Sequence, residues 1–196
     1  MREMIKSSLV LCLITVIAAA ALAVAYDVTK EPIRRQQVIT GERLMRELFP
    51  DAATFWQASN LLSWSNIYAV SGDTGDIIGY IISVSSQGYS GRIGMLVGLD
   101  THGVVTGTRV VSQSETPGLG TRATDTEFLA QFVGTAQPLT VVTAAPVTHT
   151  EVQAITGATI SVRAVVEGVN EAIRMFDDVS IADLTFDIPL NGGVGE

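Results

Sequence analysis

The stretch "AITGATISVRAVVEGVNEAIRMF" (Ala154–Phe176) decides the fold of the second half of the chain. Its apolar residues recur every three or four positions and its charged residues fall between them, which is the pattern of an amphipathic α-helix with one buried face. The apolar positions are Val162, Val165, Val166, Val169, Ile173 and Phe176, and the charged positions are Arg163, Glu167, Glu171 and Arg174. The preceding TGAT tetrapeptide, residues 156–159, predicts a turn where that helix begins.

The hydroxyls and the glycine ahead of this helix have two interpretations. A helix start leaves its first backbone N–H groups without intrahelical acceptors and carries a partial positive charge. Thr156 or Thr159 could therefore be an ordinary N-cap, with Gly157 serving only to let the chain turn. Alternatively, the same N–H groups could bind a phosphate. The choice between the two depends on the rest of the chain.

An uncharged segment near the start of the chain, "SSLVLCLITVIAAAALAVAY" (Ser7–Tyr26), is long enough to cross a membrane. At a rise of about 1.5 Å per residue, twenty helical residues span roughly the 30 Å of a bilayer's hydrocarbon core. A cleaved signal peptide is the alternative, because Ala23–Ala25 resembles a small-residue cleavage site. We favour a retained anchor, since the apolar run exceeds the usual signal core and Tyr26 suits a membrane interface. In both cases the rest of the chain is expected to be exported.

Composition and charge exclude several classes of function. The chain has 12 Lys and Arg against 20 Asp and Glu, a formal net charge of −8, so nucleic acid is not an expected partner. Its one cysteine, Cys12, lies in the apolar span, which excludes disulfides, thiolate-bound metals, iron–sulfur clusters and attached c-type haem from the main domain. His102 and His149 have no acidic or histidine partner at a ligand spacing, so we predict no metal site.

The elements between the anchor and the opening stretch follow from local patterns. Pro32 is expected in the first turn of a new helix that forms a stalk. Two β-hairpins follow, with turns at Gly72–Asp76 and Asp100–Gly103. A short helix at Thr124–Phe132 and a strand in "LTVVTAA" precede the opening stretch. This order predicts an α+β domain with a mainly antiparallel sheet and flanking helices.

The predicted organisation has four parts. They are a membrane anchor at 1–26, a helical stalk at 27–60, the α+β domain at 61–180 and a loose tail at 181–196. The tail is expected because the chain ends in the glycine-rich run "LNGGVGE".

One loop after a predicted strand has the composition of a binding loop. In "SQSETPGLGTR" (Ser112–Arg122), Pro117, Gly118 and Gly120 predict a tight, exposed turn. Loops of this kind often carry binding groups on a rigid sheet, although a plain connection has the same composition. The loop by itself leaves both interpretations open.

Three motifs, in this order, resemble the FMN-binding domain family of the G subunit of Rnf complexes and the C subunit of the sodium-pumping NADH:quinone reductase. They are "GYSGRIGMLVGLD" (88–100), "SETPGLGTR" (114–122) and "TGATIS" (156–161), all behind one N-terminal anchor. The compact length and the "TKEPI" segment after the anchor look more similar to the Rnf G subunit. The resemblance implies a single transmembrane helix followed by an FMN-binding domain.

The resemblance also implies a site. In this family the last threonine of an (S/T)GAT motif carries FMN through a phosphoester bond, which places the covalent FMN on Thr159. Thr156 would cap the turn, and Gly157 would permit close approach of the backbone to the phosphate. The cofactor-binding residues implied are Thr156, Gly157, Ala158, Thr159, Ile160, Ser161, Tyr89, Glu115, Thr116, Leu119 and Gly120. The chain shows no acid–base pair and no nicotinamide fingerprint, so we predict no catalytic residue.

In functional terms the resemblance implies an electron-transfer subunit of a membrane-bound, ion-translocating ferredoxin:NAD oxidoreductase, with the flavin domain on the outer, periplasmic side of the inner membrane. The expected partners are the other subunits of that complex and a flavin transferase that installs the FMN. Two alternatives stay open: a C-type subunit of the sodium-pumping quinone reductase, and an anchored binding or scaffold module without flavin. Gln153 favours the scaffold, because the family commonly has an aspartate three residues before the first threonine of the motif.

Overall fold

The fold is taken from a computed structural model that describes residues 2–59, 67–146, 148–178 and 184–190. The chain divides into two compact units, residues 1–40 and 41–196. In chain order the elements are α1 (Arg2–Leu48), β1 (Thr54–Ala58), β2 (Ile67–Ser71), β3 (Ile77–Gln87), β4 (Arg92–Leu99), β5 (Val105–Ser112), α2 (Thr126–Leu129), β6 (Thr140–Val142), β7 (Glu151–Gln153), α3 (Thr159–Asp178) and β8 (Phe186–Pro189), with 3-10 turns at Gly120–Thr124 and Ala130–Phe132.

The first unit is helical over its described residues. Within the described part of the chain, one helix is long and apolar enough to cross a membrane, through the stretch Leu9–Lys30 with a mean hydropathy of 2.7. Within this stretch the hydroxyl of Thr15 donates to the carbonyl of Cys12 at 2.8 Å, and that of Thr29 donates to the carbonyl of Ala25 at 2.7 Å. The Thr15 hydroxyl is therefore not left unpaired in hydrocarbon, where an unpaired polar group costs several kcal/mol.

The segment after the apolar stretch differs from the predicted stalk. The sequence predicts a new helix at Pro32, but α1 continues without a break to Leu48. A proline removes one i→i−4 hydrogen bond, and the residues around this one are mostly strong helix formers, so the helix does not end there. The predicted stalk also extends too far, to residue 60, because Thr54–Ala58 forms β1 with Phe55 buried.

The second unit is built on a six-stranded antiparallel sheet in the order β5-β4-β3-β2-β1-β8. Both predicted hairpins are present: Tyr68 lies opposite Ile81 in the β2–β3 pair, and Val97 lies opposite Thr108 in the β4–β5 pair. Strands β6 and β7 form a separate parallel pair. The predicted α+β class with a mainly antiparallel sheet is confirmed.

The outer strand β8 comes from the predicted tail, 181–196. Residues Phe186–Pro189 pair antiparallel with β1. Pro189 has no N–H to donate, which a strand at the edge of a sheet tolerates. The predicted domain range, 61–180, therefore omits β1, which pairs with both β2 and β8, and omits β8 at the outer edge of the sheet. Residues 191–196 of the predicted tail lie outside the described residues.

Helix α3 packs on one face of the sheet, against β3 and β4, and its start lies next to the 3-10 turn Gly120–Thr124. The predicted apolar stripe is confirmed as the buried face, whose buried members are Val162, Val165, Val166, Val169 and Ile173. Arg163 and Glu167 are exposed, as the pattern indicates. The packing of this stripe brings the TGAT segment against the loop that follows β5.

The opposite face of the sheet is covered by the end of α1. The buried cluster there consists of Met45, Leu48, Phe49, Ala52, Phe55, Val70, Ile81 and Leu96. Glycines on the strands make room for it: a Cβ at Gly79 would lie 2.7 Å from the Phe49 ring, and a Cβ at Gly107 would lie 2.8 Å from Leu48. Both faces of the sheet are therefore covered, and the loops at its edge remain to form a site.

Candidate functional site

A tight turn leads the chain from β7 into α3. The N–H of Ala158 donates to the carbonyl of Ile155 at 2.9 Å, which closes a β-turn with Thr156 and Gly157 at its centre. Gly157 has a φ of +83°, as the third residue of a type II turn requires, and glycine adopts this φ without strain. The turn predicted at the start of the helix is thus present.

Neither threonine of the TGAT motif occupies the N-cap position of α3. The carbonyl of Ala158 accepts the N–H of Val162 at 2.9 Å, so Ala158 is the N-cap residue. The hydroxyls of Thr156 and Thr159 have no hydrogen-bond partner among the described residues. Thr156 therefore does not act as the predicted cap, because the turn places it two residues ahead of the helix boundary.

The loop after β5 contains a second turn of the same kind. The N–H of Leu119 donates to the carbonyl of Thr116 at 3.2 Å, with Pro117 and Gly118 between them. Gly118 has a φ of +73°, and the fixed φ of a proline suits the position before it. The tight, exposed turn predicted from Pro117 and Gly118 is confirmed.

The two turns pack directly against each other. A Cβ on Gly157 would lie 2.9 Å from Cδ1 of Leu119, so this position needs glycine both for its φ and for the close approach. A Cβ on Gly120 would lie 2.9 Å from Oγ of Ser161 on α3. Two glycine-containing segments that are distant in the sequence are therefore held side by side.

A cavity of about 520 Å³ opens where these segments meet the turn between β3 and β4. The described residues that line it are Tyr89, Glu115, Thr116, Leu119, Gly120, Gly157, Ala158, Thr159, Ile160 and Ser161. Its volume lies within the range of about 300–1,000 Å³ that is usual for cofactor sites. The structure thus brings together every residue that the resemblance assigns to a cofactor except Thr156, which is exposed and lies outside the lining.

The lining offers backbone donors without a cationic side chain. Its one carboxylate is Glu115, and none of the described lining residues is Lys, Arg or His. The amides of Thr159, Ile160 and Ser161 precede the first hydrogen bond of α3 and have no acceptor in the described part of the chain. The start of a helix stabilises a nearby negative charge by about 0.3–1 kcal/mol, or up to ~2 kcal/mol when partly buried. The half-buried hydroxyl of Thr159 lies at these donors, so a phosphoryl group attached to it would meet them.

Three of the lining side chains are large, apolar and exposed. Tyr89 is 71% exposed, Ile160 is 52% exposed and Leu119 is 42% exposed. They come from three different segments, the β3–β4 turn, the start of α3 and the loop after β5. Exposed apolar surface gathered in one place marks a binding surface, and a flat aromatic ring system laid on this cavity would cover it.

The surroundings of Glu115 were predicted less well from the sequence than those of the other residues that line the cavity. The resemblance implies only that it neighbours a flavin, whereas in the structure it is buried, with 4% of its surface exposed. Its Oε1 accepts the N–H of Ser90 at 3.0 Å, and its Oε2 accepts the hydroxyl of Ser161 at 2.5 Å. The sequence carried no signal of this burial, because only the fold shows that a Cβ at Gly88 or Gly120 would meet this carboxylate.

Comparisons with known proteins find relatives for both parts of the chain. A family model described as FMN-binding domain matches residues 88–174, a range that includes all the residues lining the cavity. A second model, described as RnfG N-terminal region, matches residues 1–48.

Curated relatives cover most of the chain. It is 32% identical over 193 residues to the G subunit of the Na(+)-translocating ferredoxin:NAD(+) oxidoreductase complex of Acetobacterium woodii, covering 89% of this chain and 92% of that protein. It is 36% identical over 170 residues to the G subunit of the proton-translocating ferredoxin:NAD(+) oxidoreductase complex of Clostridium ljungdahlii, covering 86% of this chain and 88% of that protein. Among solved structures, a crystal structure of Shewanella oneidensis NqrC aligns at 18% identity with a TM-score of 0.48, covering 67% of this chain and 74% of that chain.

Proposed function

The chain belongs to the family of G subunits of Rnf-type ion-translocating oxidoreductase complexes, and we propose that it relays electrons in such a complex through an FMN attached covalently to Thr159. The electron transfer runs between ferredoxin and NAD and is coupled to ion translocation. The observation that carries this proposal is the cavity at the start of α3, where a free threonine hydroxyl, unpaired amides and exposed apolar side chains come together.

The residues of the cavity divide into two groups by what they would hold. The amides at the start of α3 hold the phosphoryl group on Thr159, and Gly157 keeps the backbone beside it free of a side chain. Tyr89, Leu119 and Ile160 supply the apolar surface for the isoalloxazine ring. FMN supplies the redox chemistry in this place. The exposure of these three side chains leaves the site open to a neighbouring subunit, as an electron carrier requires.

Covalent attachment is favoured over simple binding because the cavity offers little to retain an anion. The start of α3 contributes at most ~2 kcal/mol toward holding a phosphate. The lining adds no cationic side chain among the described residues and contains the carboxylate of Glu115. A phosphoester bond to Thr159 would retain the phosphate without a cationic partner, because retention no longer depends on affinity.

The central test is the intact mass of the full chain produced with a flavin transferase, read together with in-gel flavin fluorescence of the denatured protein. We expect one covalent flavin in the wild type and none in Thr159→Ala. Thr156→Ala is the matched control: it removes a hydroxyl from the same turn but outside the cavity lining, so its flavin should remain. A flavin retained by Thr159→Ala would refute the attachment site, and a wild-type chain with the mass of the bare polypeptide would refute the redox assignment.

Gln153 supports a second candidate, an anchored scaffold module without flavin. It is exposed on β7, at the position where the family commonly has an aspartate. Both proteins are produced with a flavin transferase. If the wild type carries no flavin and Gln153→Asp does, the result favours the scaffold. Flavin in both proteins would exclude it.

The partners in this proposal are the other subunits of the complex and a flavin transferase that acts on the exported domain. The membrane location follows from the apolar helix and the family, and we place the flavin domain on the outer side of the cell membrane. Cysteine labelling tests this side, because Cys12 is the one native cysteine and lies within the apolar stretch. In intact cells, a membrane-impermeant maleimide should label Asp73→Cys in the exposed β2–β3 turn but not Lys6→Cys. The opposite pattern would invert the topology.

A further inference from the structure

Glu115 is the one buried carboxylate among the described residues, and the electron relay assigns it no task. Removing a carboxylate from water is costly unless hydrogen-bond donors replace the lost hydration. Both of its oxygens have such donors, the amide of Ser90 on Oε1 and the hydroxyl of Ser161 on Oε2. Its own N–H donates to Oε1 of Gln113 at 2.6 Å. The carboxylate is therefore held in one orientation by separate segments of the chain.

The three segments joined by this carboxylate are those that enclose the cavity. Ser90 lies in the turn between β3 and β4, Ser161 lies in the first turn of α3, and Glu115 itself precedes the second type II turn. Loops that are not tied to a neighbour open at little free-energy cost. The carboxylate thus fastens together loops whose separation would dismantle the site.

The surrounding backbone is shaped to the carboxylate. A Cβ on Gly88 would lie 2.5 Å from Oε1 of Glu115, and a Cβ on Gly120 would lie 2.6 Å from Oε2. The carbonyl oxygen of Gly91 also lies 2.9 Å from the Cβ position of Gly88, and Oγ of Ser161 lies 2.9 Å from that of Gly120. The carboxylate therefore occupies a space that both backbone segments and Ser161 approach closely.

The hydrogen bond between Ser161 and Glu115 makes the two hydroxyls of α3 at the cavity, those of Thr159 and Ser161, different from each other. Ser161 is 2% exposed and its hydroxyl is donated to Glu115. Thr159, two residues earlier, is half-buried, and its hydroxyl has no partner in the described part of the chain. Only one of the two is therefore free to react.

We propose that Glu115 is a positioning residue: it holds the β3–β4 turn and the first turn of α3 around the cavity and keeps Ser161 occupied, so that Thr159 is the hydroxyl offered for flavin attachment. The fastening of the loops is independent of any flavin, whereas the choice of hydroxyl rests on the proposed function. The attachment needs a flavin phosphoanhydride as donor. Oγ1 of Thr159 bonds to the flavin-side phosphorus, the anhydride P–O bond breaks, the other phosphate portion leaves and the hydroxyl proton is released.

Hydrogen exchange at the Ser90 amide tests the fastening directly. Ser90 lies in an exposed turn, and the acceptor of its amide in the structure is the Glu115 side chain. On the flavin-free full chain in detergent micelles, we expect Glu115→Ala to accelerate exchange at this amide by about tenfold or more, since the bond to a charged acceptor is lost. Unchanged exchange in Glu115→Ala would overturn the proposal. Glu167→Gln, an exposed change on α3, is the matched control and should leave the rate as it is.

Rescue by the conservative variant separates a hydrogen-bonding role from a general need for the charge. In Glu115→Gln the amide oxygen can accept from Ser90 while the amide NH₂ donates to Oγ of Ser161. We expect this variant to recover most of the protection lost in Glu115→Ala. Exchange as fast as in Glu115→Ala would contradict positioning by hydrogen bonds.

A second variant keeps the proposal testable if Glu115→Ala fails to fold. Ser161→Ala removes one donor and leaves the bond to Ser90 in place. We expect exchange to accelerate at the amide of Val162, which donates to the carbonyl of Ala158 in the first turn of α3, while the Ser90 amide keeps its rate. Equal acceleration at both places, or at neither, would show that the carboxylate does not join these segments as described.

Flavin attachment tests the choice of hydroxyl, with flavinylated peptides mapped by mass spectrometry after timed exposure to the transferase. We expect Glu115→Ala to slow attachment at Thr159 by about tenfold or more, and Glu115→Gln to recover most of that rate. Attachment at the wild-type rate in Glu115→Ala would overturn the positioning role. A wild-type chain without flavin on Thr159, combined with the expected exchange results at Ser90, would instead refute the proposed function and leave the fastening intact.

Discussion

Gly157→Ala tests whether the two type II turns are packed together as the structure describes. An L-residue in the left-handed region costs roughly 1–2 kcal/mol, and Gly157 has a φ of +83°. The new Cβ would also lie 2.9 Å from Cδ1 of Leu119, a contact that forces the leucine to move. Because Leu119 is partly exposed and can shift, we add only about 1 kcal/mol for this contact. The free energy of unfolding should therefore fall by about 2–3 kcal/mol.

Gly118→Ala is the matched control, because it has the same kind of backbone without the contact. Its φ is +73°, and a Cβ there would meet nothing within 4 Å. We expect a loss of about 1–2 kcal/mol, from the backbone conformation alone. Adding Leu119→Ala to Gly157→Ala removes the contact, so the double-mutant cycle should show a favourable coupling of about 1 kcal/mol.

The measurement is a urea titration of the full chain in detergent micelles, followed by tryptophan fluorescence, in which Trp56 on β1 reports on the sheet. Covalent flavin is quantified in the same preparations by in-gel fluorescence. Equal losses for the two glycine variants, or a coupling of zero between Gly157 and Leu119, would refute the side-by-side packing of the turns. The flavin site derived from that packing would then need a different geometry.

Two further tests concern the sheet and the alkaline limit of stability. Gly79→Ala places a Cβ 2.6 Å from the backbone oxygen of Leu99 and 2.7 Å from the Phe49 ring, so it should lower the free energy of unfolding by about 1–3 kcal/mol. Gly41→Ala is the contrasting variant, because a Cβ at this position on α1 would meet nothing within 4 Å, and it should raise the free energy of unfolding by about 0.5–1 kcal/mol. If both variants change the free energy of unfolding in the same direction in the same titration, the close packing at Gly79 is contradicted. Burial raises the pKa of Tyr80 above 10.0, so the unfolded chain ionises first and stability should fall as pH rises above that value. Tyr80→Phe keeps the ring contact with Phe176 and should reduce this loss in titrations between about pH 9 and 12; an unchanged alkaline profile would contradict it.

The elements that sequence reasoning predicted well depend on short-range patterns. The apolar period of α3 and the turns at Gly72–Asp76 and Asp100–Gly103 each lie within a few residues of chain, and the structure has all three. Strand β1 escaped prediction because Thr54–Ala58 does not alternate regularly between apolar and polar side chains. Strand β8 escaped because, among the described strands, it pairs only with β1, which lies near the other end of the second unit's sequence. The continuation of α1 through Pro32 was also not predicted from the sequence. The proline removes one helical hydrogen bond, and the helical residues on both sides of it keep the helix continuous.

In the candidate site, too, the features that depend on neighbouring residues were predicted and those that depend on the folded structure were not. Pro117, Gly118 and Gly157 predict their turns because backbone dihedral preferences belong to the residues themselves. The cap predicted at Thr156 is wrong, since the N-cap position depends on which carbonyl accepts the first helical bond, and here that carbonyl belongs to Ala158. A threonine near a helix start thus indicates a boundary without assigning the residue that forms it.

The sequence by itself determined what local chemistry controls: an apolar span, an amphipathic helix, two glycine turns and a threonine between them. Only the tertiary structure decided that the two turns touch, that Glu115 is buried, and that Ser161 is occupied while Thr159 is free. The physical reason is distance along the chain. Burial and hydrogen bonding of a side chain depend on segments that meet only after the sheet and α3 have packed, whereas backbone preferences and apolar periodicity act within a few residues.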